Sequence, residues 1–341
     1  MSAAGRIDAL VLGGGSFGTA LANLLAGLGR HVVLWVRRPE QADEINTRHQ
    51  NRRYVPDVSL APNLVATAEL APALAAAPLV LMSVPSRSFR EVAHAVGETI
   101  RGDQILVHTT KGIEIGSGRR MSEILREETC ALKLGVLSGP NLAGEIFAGH
   151  PAGALVASRY DEVVRATQGL FAGGWLRVYG GRDVIGTEIG GSFKNIIAIA
   201  SGVADGLSLG DNTKALLMTR GLSEMAQLGV SAGADVFTFG GLAGIGDLIA
   251  TCASPLSRNH QVGLRLGKGE AIQAILNSMV HVAEGVPTAR AVHEHAKTRG
   301  LDLPIVAAVF AMVHEGLTAK AAVATLMARP VGEELAQLRY R

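Results

Sequence analysis

Apolar residues follow two different rhythms along the chain. Up to about residue 186, short unbroken apolar runs alternate with stretches of helical spacing, and beyond it the helical period dominates. Residues 9–12 read Ala-Leu-Val-Leu without polar alternation, as a strand covered on both faces requires. Phe17, Leu21, Leu24, Leu25 and Leu28 then recur on one helical face, and Gly29 stands where a C′ glycine stops a helix. Residues 31–36 predict a second strand, which completes a βαβ unit close to the minimum length of a parallel crossover. Further strands are predicted at 79–84, 105–108, 134–137 and 154–157. Pro85, Gly112 and the Gly139-Pro140 pair sit at or just past the ends of these strands. In an open parallel sheet those ends line the ligand crevice.

Helical periodicity at 192–203, 213–228, 247–251, 271–281, 288–298, 305–315 and 318–327 predicts a second, mainly helical domain. The fold class is therefore α/β. A Rossmann-like N-terminal dinucleotide-binding domain (1–186) is followed by a mainly α-helical C-terminal substrate-binding and catalytic domain (187–341). The length of 341 residues agrees with two cores better than with one. The glycine-rich stretch 187–191 is expected to form a hinge or interdomain opening.

Composition narrows the partners. Lys plus Arg (32) nearly balances Asp plus Glu (30), which gives no general reason to expect nucleic acid or an anionic membrane. No window supplies the roughly 20 continuous apolar residues that span a bilayer, so stable membrane insertion is not expected. Cys130 and Cys252 cannot form a disulfide scaffold, and the N-terminus lacks the pattern of an export signal. A cytoplasmic protein with reduced thiols is the expectation. His293-Glu294-His295 lacks the spacing of a zinc helix, and no metal site is predicted. Trp35 reads as strand packing and Trp175 as core.

The chemistry starts at the first turn. Gly13-x-Gly15-x-x-Gly18 follows a strand and opens a helix: Gly13 permits the tight turn, Gly15 the approach of a pyrophosphate to backbone N–H groups, and Gly18 close helix–sheet packing. The second strand ends in Arg37-Arg38 instead of the carboxylate that would accept the ribose hydroxyls of NAD. A guanidinium there can pair with a 2′-phosphate, so NADP(H) is the expected cofactor and NAD(H) use stays open. Lys111, in Thr110-Lys111-Gly112 after a predicted strand, can meet an anionic substrate or a cofactor phosphate, or be merely solvated. Lys194 and Asn195 belong to a strongly apolar helix, where desolvation would tune the lysine for acid–base work, although a surface lysine at a helix start is the competing description. Asp247 either caps backbone N–H groups or holds Lys194 or a substrate hydroxyl. Ser257-Arg258-Asn259 reads as a helix entrance that can clamp a phosphate or simply cap the helix.

With these residues in order, the chain closely resembles the NAD(P)-dependent glycerol-3-phosphate dehydrogenases, particularly the bacterial biosynthetic form, over nearly its whole length. The resemblance rests on Gly13-Gly14-Gly15-Ser16-Phe17-Gly18-Thr19-Ala20, Leu34-Trp35-Val36-Arg37-Arg38, Thr110-Lys111-Gly112, Ser138-Gly139-Pro140, Gly190-Gly191-Ser192-Phe193-Lys194-Asn195 and Gly246-Asp247-Leu248. It implies reversible reduction of dihydroxyacetone phosphate to sn-glycerol 3-phosphate, a precursor for phospholipid synthesis, with Lys194 as general acid. It also implies that Lys111 touches substrate and cofactor, and that Asp247 belongs to the substrate site. Gly139, Thr251, Ser257 and Asn259 are placed around the substrate, and Arg258 near both the anionic pocket and the cofactor. Ser16, Phe17, Arg37, Ala143, Val282 and Glu284 match cofactor-contacting positions. Asn141 stands where the family commonly has serine, so a backbone contact would persist there without the hydroxyl. A homodimer is expected by family analogy. A 6-phosphogluconate or hydroxyacid dehydrogenase-like oxidoreductase, or a noncatalytic NADPH-sensing protein, are the alternatives.

Overall fold

The computed structural model describes residues 7–279 and 283–334. It divides into two units. One consists of the described residues up to Thr110 together with Met121–Val184, the other of Lys111–Arg120 together with the described residues from Ile185 onward. The division expected after residue 186 leaves Lys111–Arg120 with the sheet. In the structure this segment packs with the helical unit, because Ile113 is buried in its core and Lys111 and Arg120 form ion pairs with its carboxylates.

Eight strands, β1 (Ala9–Leu12), β2 (Val32–Trp35), β3 (Val65–Thr67), β4 (Leu79–Met82), β5 (Ile105–His108), β6 (Lys133–Ser138), β7 (Ala152–Ala157) and β8 (Leu176–Gly181), form one sheet in the order β3-β2-β1-β4-β5-β6-β7-β8. The sheet is not uniformly parallel: β6 and β7 pair antiparallel, so β7 and β8 run against the rest. The connection from β6 to β7 holds only a five-residue helix, too short to cross back over a sheet face.

Helices α1 (Ser16–Gly27), α2 (Pro39–Arg48), α3 (Leu70–Ala76), α4 (Phe89–Gly97), α5 (Met121–Glu128), α6 (Ala143–Phe147) and α7 (Asp161–Phe171) complete this unit. Successive residues of β1 point to opposite faces, and each face has its own core. Ala9 and Val11 pack with Leu21 and Leu25 of α1 and Val163 and Phe171 of α7. Leu10 and Leu12 pack with Phe89, Val92 and Val96 of α4 and Ile124 and Leu125 of α5. Burial on both faces is why these strands read as unbroken apolar runs. Trp175, expected in the core, is 44% exposed. It precedes the edge strand β8, and its indole N–H donates to the Ile146 carbonyl at 3.1 Å.

The second unit contains α8 (Val184–Gly206), α9 (Asp211–Ser231), α10 (Asp247–Ala253), α11 (Arg258–Gly267), α12 (Ile272–Asn277), α13 (Gly285–Thr298), α14 (Pro304–His314) and α15 (Ala319–Met327). Residues 187–191, expected to form a hinge or interdomain opening, lie inside the continuous helix α8, which is buried from Gly186 to Ala204. Glycine serves close approach here. A Cβ at Gly190 would fall on the Ala243 carbonyl oxygen, in the segment that leads to Asp247. Farther along, Gly202 and Gly206 of α8 face Gly263 and Gly267 of α11 with the two backbones in contact.

That crossing fixes where the start of α11 lies relative to α8. A Cβ at Gly263 would fall on the Ile199 carbonyl oxygen, and neither backbone can yield without moving a helix. Gly263→Ala should therefore destabilise the unit by about 1–3 kcal/mol or more, despite the better helix propensity of alanine. Thermal denaturation checks this; an unchanged or raised Tm would contradict the crossing.

Candidate active site

In the sheet unit the Gly13–Gly18 turn leaves β1 with Gly13 at φ +114°, a value that favours glycine. A Cβ at Gly18 would fall on the Gly13 carbonyl oxygen, while one at Gly15 would meet nothing within 4 Å among the described residues. No side chain caps the N-terminus of α1. Open space before uncapped N–H groups at the positive end of a helix fits a pyrophosphate. The sequence did not reveal how the turn is held. Gln41 and Asn51, both buried, donate to the Gly14 carbonyl at 2.7 and 3.0 Å, and Asn51 also donates to Thr19 Oγ1 at 2.9 Å. Asn51 lies in a polar stretch without periodicity, so no signal marked it.

Ser16 begins α1 and donates its hydroxyl to the Tyr54 carbonyl at 3.0 Å, and Phe17 packs against the core beneath the turn. Arg37 is exposed just past β2 and faces Glu91 at 3.7 Å; Arg38 is the residue before α2. Gly139, at φ +139°, follows β6, Asn141 is buried in the same connection, and Ala143 starts α6.

The helical unit holds the charged cluster. Lys194 and Asn195 are both buried on α8, which removes the surface-lysine description. Asp247 is the first residue of α10, one past the cap position, which Gly246 holds. Its Oδ1 accepts from Lys194 Nζ and its Oδ2 accepts from Lys111 Nζ at 2.8 Å. Thr251, one turn farther along α10, receives Lys194 Nζ at 2.7 Å and donates its own hydroxyl to the Asp247 carbonyl at 2.6 Å. Exposure grades across the cluster: the side chains of Asp247 and Lys194 are 2% and 5% exposed, and that of Lys111 19%.

Burial sets the proton affinity of Lys194. Desolvation pulls its ammonium down from 10.5 to about 7, with Asp247 opposing the fall and the charge of Lys111 adding to it. A group balanced there can both give and take a proton near neutrality. Beside it, burial pushes the Cys252 thiol up to about 12, so this sulfur stays protonated and inert.

A polar chain continues from Asn195. Asn259 Nδ2 donates to Asn195 Oδ1 at 2.9 Å, and Asn259 Oδ1 accepts from the Gly285 N–H at 2.9 Å. Ser257 caps α11 through the His260 N–H. Arg258, between the buried Ser257 and Asn259, is itself exposed and places a guanidinium at the N-terminus of α11. Glu284 immediately precedes α13, and Val282 lies outside the described residues. Lys111, Lys194, Asn195, Asp247, Thr251, Ser257, Arg258 and Asn259 thus all fall in the helical unit.

Models of the NAD-dependent glycerol-3-phosphate dehydrogenase N-terminus and C-terminus match residues 8–164 and 183–324. The chain is 46% identical to a glycerol-3-phosphate dehydrogenase (NAD(P)+) of Sphingopyxis alaskensis over 96% of its length and 98% of that protein. It is 44% identical to one of Bacillus cytotoxicus, covering 94% of each. A crystal structure of glycerol-3-phosphate dehydrogenase from Coxiella burnetii superposes with a TM-score of 0.91 at 36% identity, over 95% of this chain and 99% of that one.

Proposed function

The chain belongs to the NAD-dependent glycerol-3-phosphate dehydrogenases, and on that premise we propose how its residues carry out NAD(P)(H)-dependent interconversion of dihydroxyacetone phosphate and sn-glycerol 3-phosphate. The observation that carries the assignment of roles is the Lys194–Asp247–Lys111 cluster, with Asn195, next to Lys194 in sequence, bonded to Asn259 in the first turn of α11. When bound, the nicotinamide would supply or accept the hydride at the substrate carbon. Lys194 gives its proton to the ketone oxygen as negative charge develops there, and takes one from the alcohol in the reverse direction. Asp247 holds both ammonium groups at fixed positions, and Thr251 fixes the Nζ of Lys194 from the other side. Arg258, with Ser257 and Asn259, binds the phosphate, and Asn195 keeps Asn259 oriented.

The sheet unit is the dinucleotide-binding domain and the helical unit the substrate-binding and catalytic domain. Gly13, Gly15, Ser16, Phe17 and Gly18 take the pyrophosphate side, and Gly139, Asn141, Ala143, Val282 and Glu284 contribute as the family pattern implies. The product feeds phospholipid synthesis from the cytoplasm, with the enzyme a homodimer. Among the described residues no helix is long and apolar enough to cross a membrane.

Selectivity for NADP(H) rests on Arg37 and Arg38. Charge-assisted pairing with a 2′-phosphate contributes about 1.5–3 kcal/mol, or about 10- to 100-fold in affinity. Arg37→Glu and Arg38→Glu, made separately, should raise the KM for NADPH by about that factor at one of the two positions and leave that for NADH nearly unchanged. Equal effects on both cofactors would remove the 2′-phosphate role. Assays with dihydroxyacetone phosphate, 2-ketoacids and sugar acids test the substrate: selective turnover of a sugar acid or ketoacid, or tight NADPH binding without turnover, would overturn the reading.

A further inference from the structure

The segment Lys111–Arg120 is a small hairpin. Ile113 and Arg120 pair antiparallel, the Glu114 N–H donates to the Arg119 carbonyl at 2.9 Å, and the Gly118 N–H donates back to the Glu114 carbonyl at 3.0 Å. Gly116 and Gly118, at φ +86° and +67°, form its turn. Its two ends therefore lie side by side, and whatever anchors Arg120 also anchors the backbone two residues beyond Lys111. One anchor is apolar, since Ile113 is buried in the helical core. A second is ionic: Arg120 Nη1 lies 2.5 Å from Glu188 Oε2, with the two side chains only 15% and 2% exposed. Glu188 belongs to α8, the helix that presents Lys194.

A buried ion pair is a poor device for stability alone, because desolvation offsets most of its attraction; its better-attested use is to specify one register. The register at stake here is that of Lys111. Its long stem has many rotamers, and it meets Asp247 productively only if the hairpin is seated in one position. We propose that Arg120 and Glu188 are positioning residues for the reaction: their ion pair seats the hairpin on α8 so that Lys111 reaches the carboxylate shared with Lys194.

The proposal rests on the role given to Lys111 above, and the experiment separates the two. In the full-length enzyme, Arg120→Met, Glu188→Gln and Arg120→Lys are each made alone and in a Lys111→Ala background, and kcat/KM for dihydroxyacetone phosphate, NADPH affinity and Tm are measured. Misplacement of a reacting group by about 1 Å costs on the order of 100-fold. Arg120→Met and Glu188→Gln should thus lower kcat/KM by about 10- to 100-fold with NADPH affinity little changed, and Arg120→Lys should recover part of the loss. In the Lys111→Ala background the same changes should cost almost nothing further in kcat/KM, while any change in Tm persists.

If the factors instead multiply with that of Lys111→Ala, or if Arg120→Met and Glu188→Gln turn over normally, the positioning role is overturned. If Arg120→Met does not fold, Glu188→Gln and Arg120→Lys decide by the same criterion. A Lys111→Ala enzyme with normal turnover would instead overturn the role of Lys111, and the proposal with it.

Discussion

Lys194→Ala should lower kcat and kcat/KM for dihydroxyacetone phosphate reduction by about 10²–10⁴-fold, the range that a positioned general acid contributes. The fold should survive. The truncated side chain leaves Asp247 still paired with Lys111, and Thr251 still bonded to the Asp247 carbonyl, so no buried carboxylate is abandoned. Circular dichroism and NADPH binding close to those of the parent, together with the lost turnover, would separate loss of chemistry from loss of structure. Retained turnover would remove Lys194 from the mechanism.

Asp247→Ala should harm both stability and activity. It takes the counter-charge from the buried Lys194 and from Lys111 at once, and breaking a buried pair typically costs about 3–5 kcal/mol. Part of that cost is escaped if Lys194 deprotonates, because Asp247 is what holds its proton affinity up against burial. A deprotonated Lys194 cannot serve the ketone oxygen, so reduction at neutral pH should fall by at least about 100-fold. Asp247→Asn keeps the shape and should be milder in Tm, yet it should still move the falling limb of the reduction profile to lower pH. A variant with unchanged Tm and unchanged profile would show that the carboxylate does not govern the lysine.

The legible parts of the fold were those whose burial is symmetrical. β1, β4 and β5 are buried at every position and read as unbroken apolar runs, and Gly29, at φ +75°, stops α1 as its position suggested. The two strands missed, β3 and β8, are the edges of the sheet. β3 is three residues long with Val65 exposed, and β8 carries Arg177 and two glycines, so neither offers an apolar run. The glycines of 187–191 looked like a hinge because helix propensity disfavours them, but close backbone contact at Gly190 outweighs propensity.

In the active site, residue types were readable and pairings were not. Asp247 could equally have been a cap, since its partners Lys194 and Lys111 stand 53 and 136 residues away in sequence. The Arg120–Glu188 pair spans 68 residues and left no local trace, because a charged residue beside a glycine turn or within a helix ordinarily reads as solvated.

Proton transfer through Lys194 is best tested by the pH dependence of kcat/KM for NADPH-linked reduction, measured side by side for the parent enzyme and Lys194→Ala. Reduction requires the ammonium, and burial holds its folded value at about 7. The parent should therefore lose reduction rate tenfold per pH unit above about 7 and gain oxidation rate as pH rises through the same midpoint. The residual activity of Lys194→Ala should lack that limb. The same falling limb in both enzymes, or near-parental turnover by Lys194→Ala, would contradict the account.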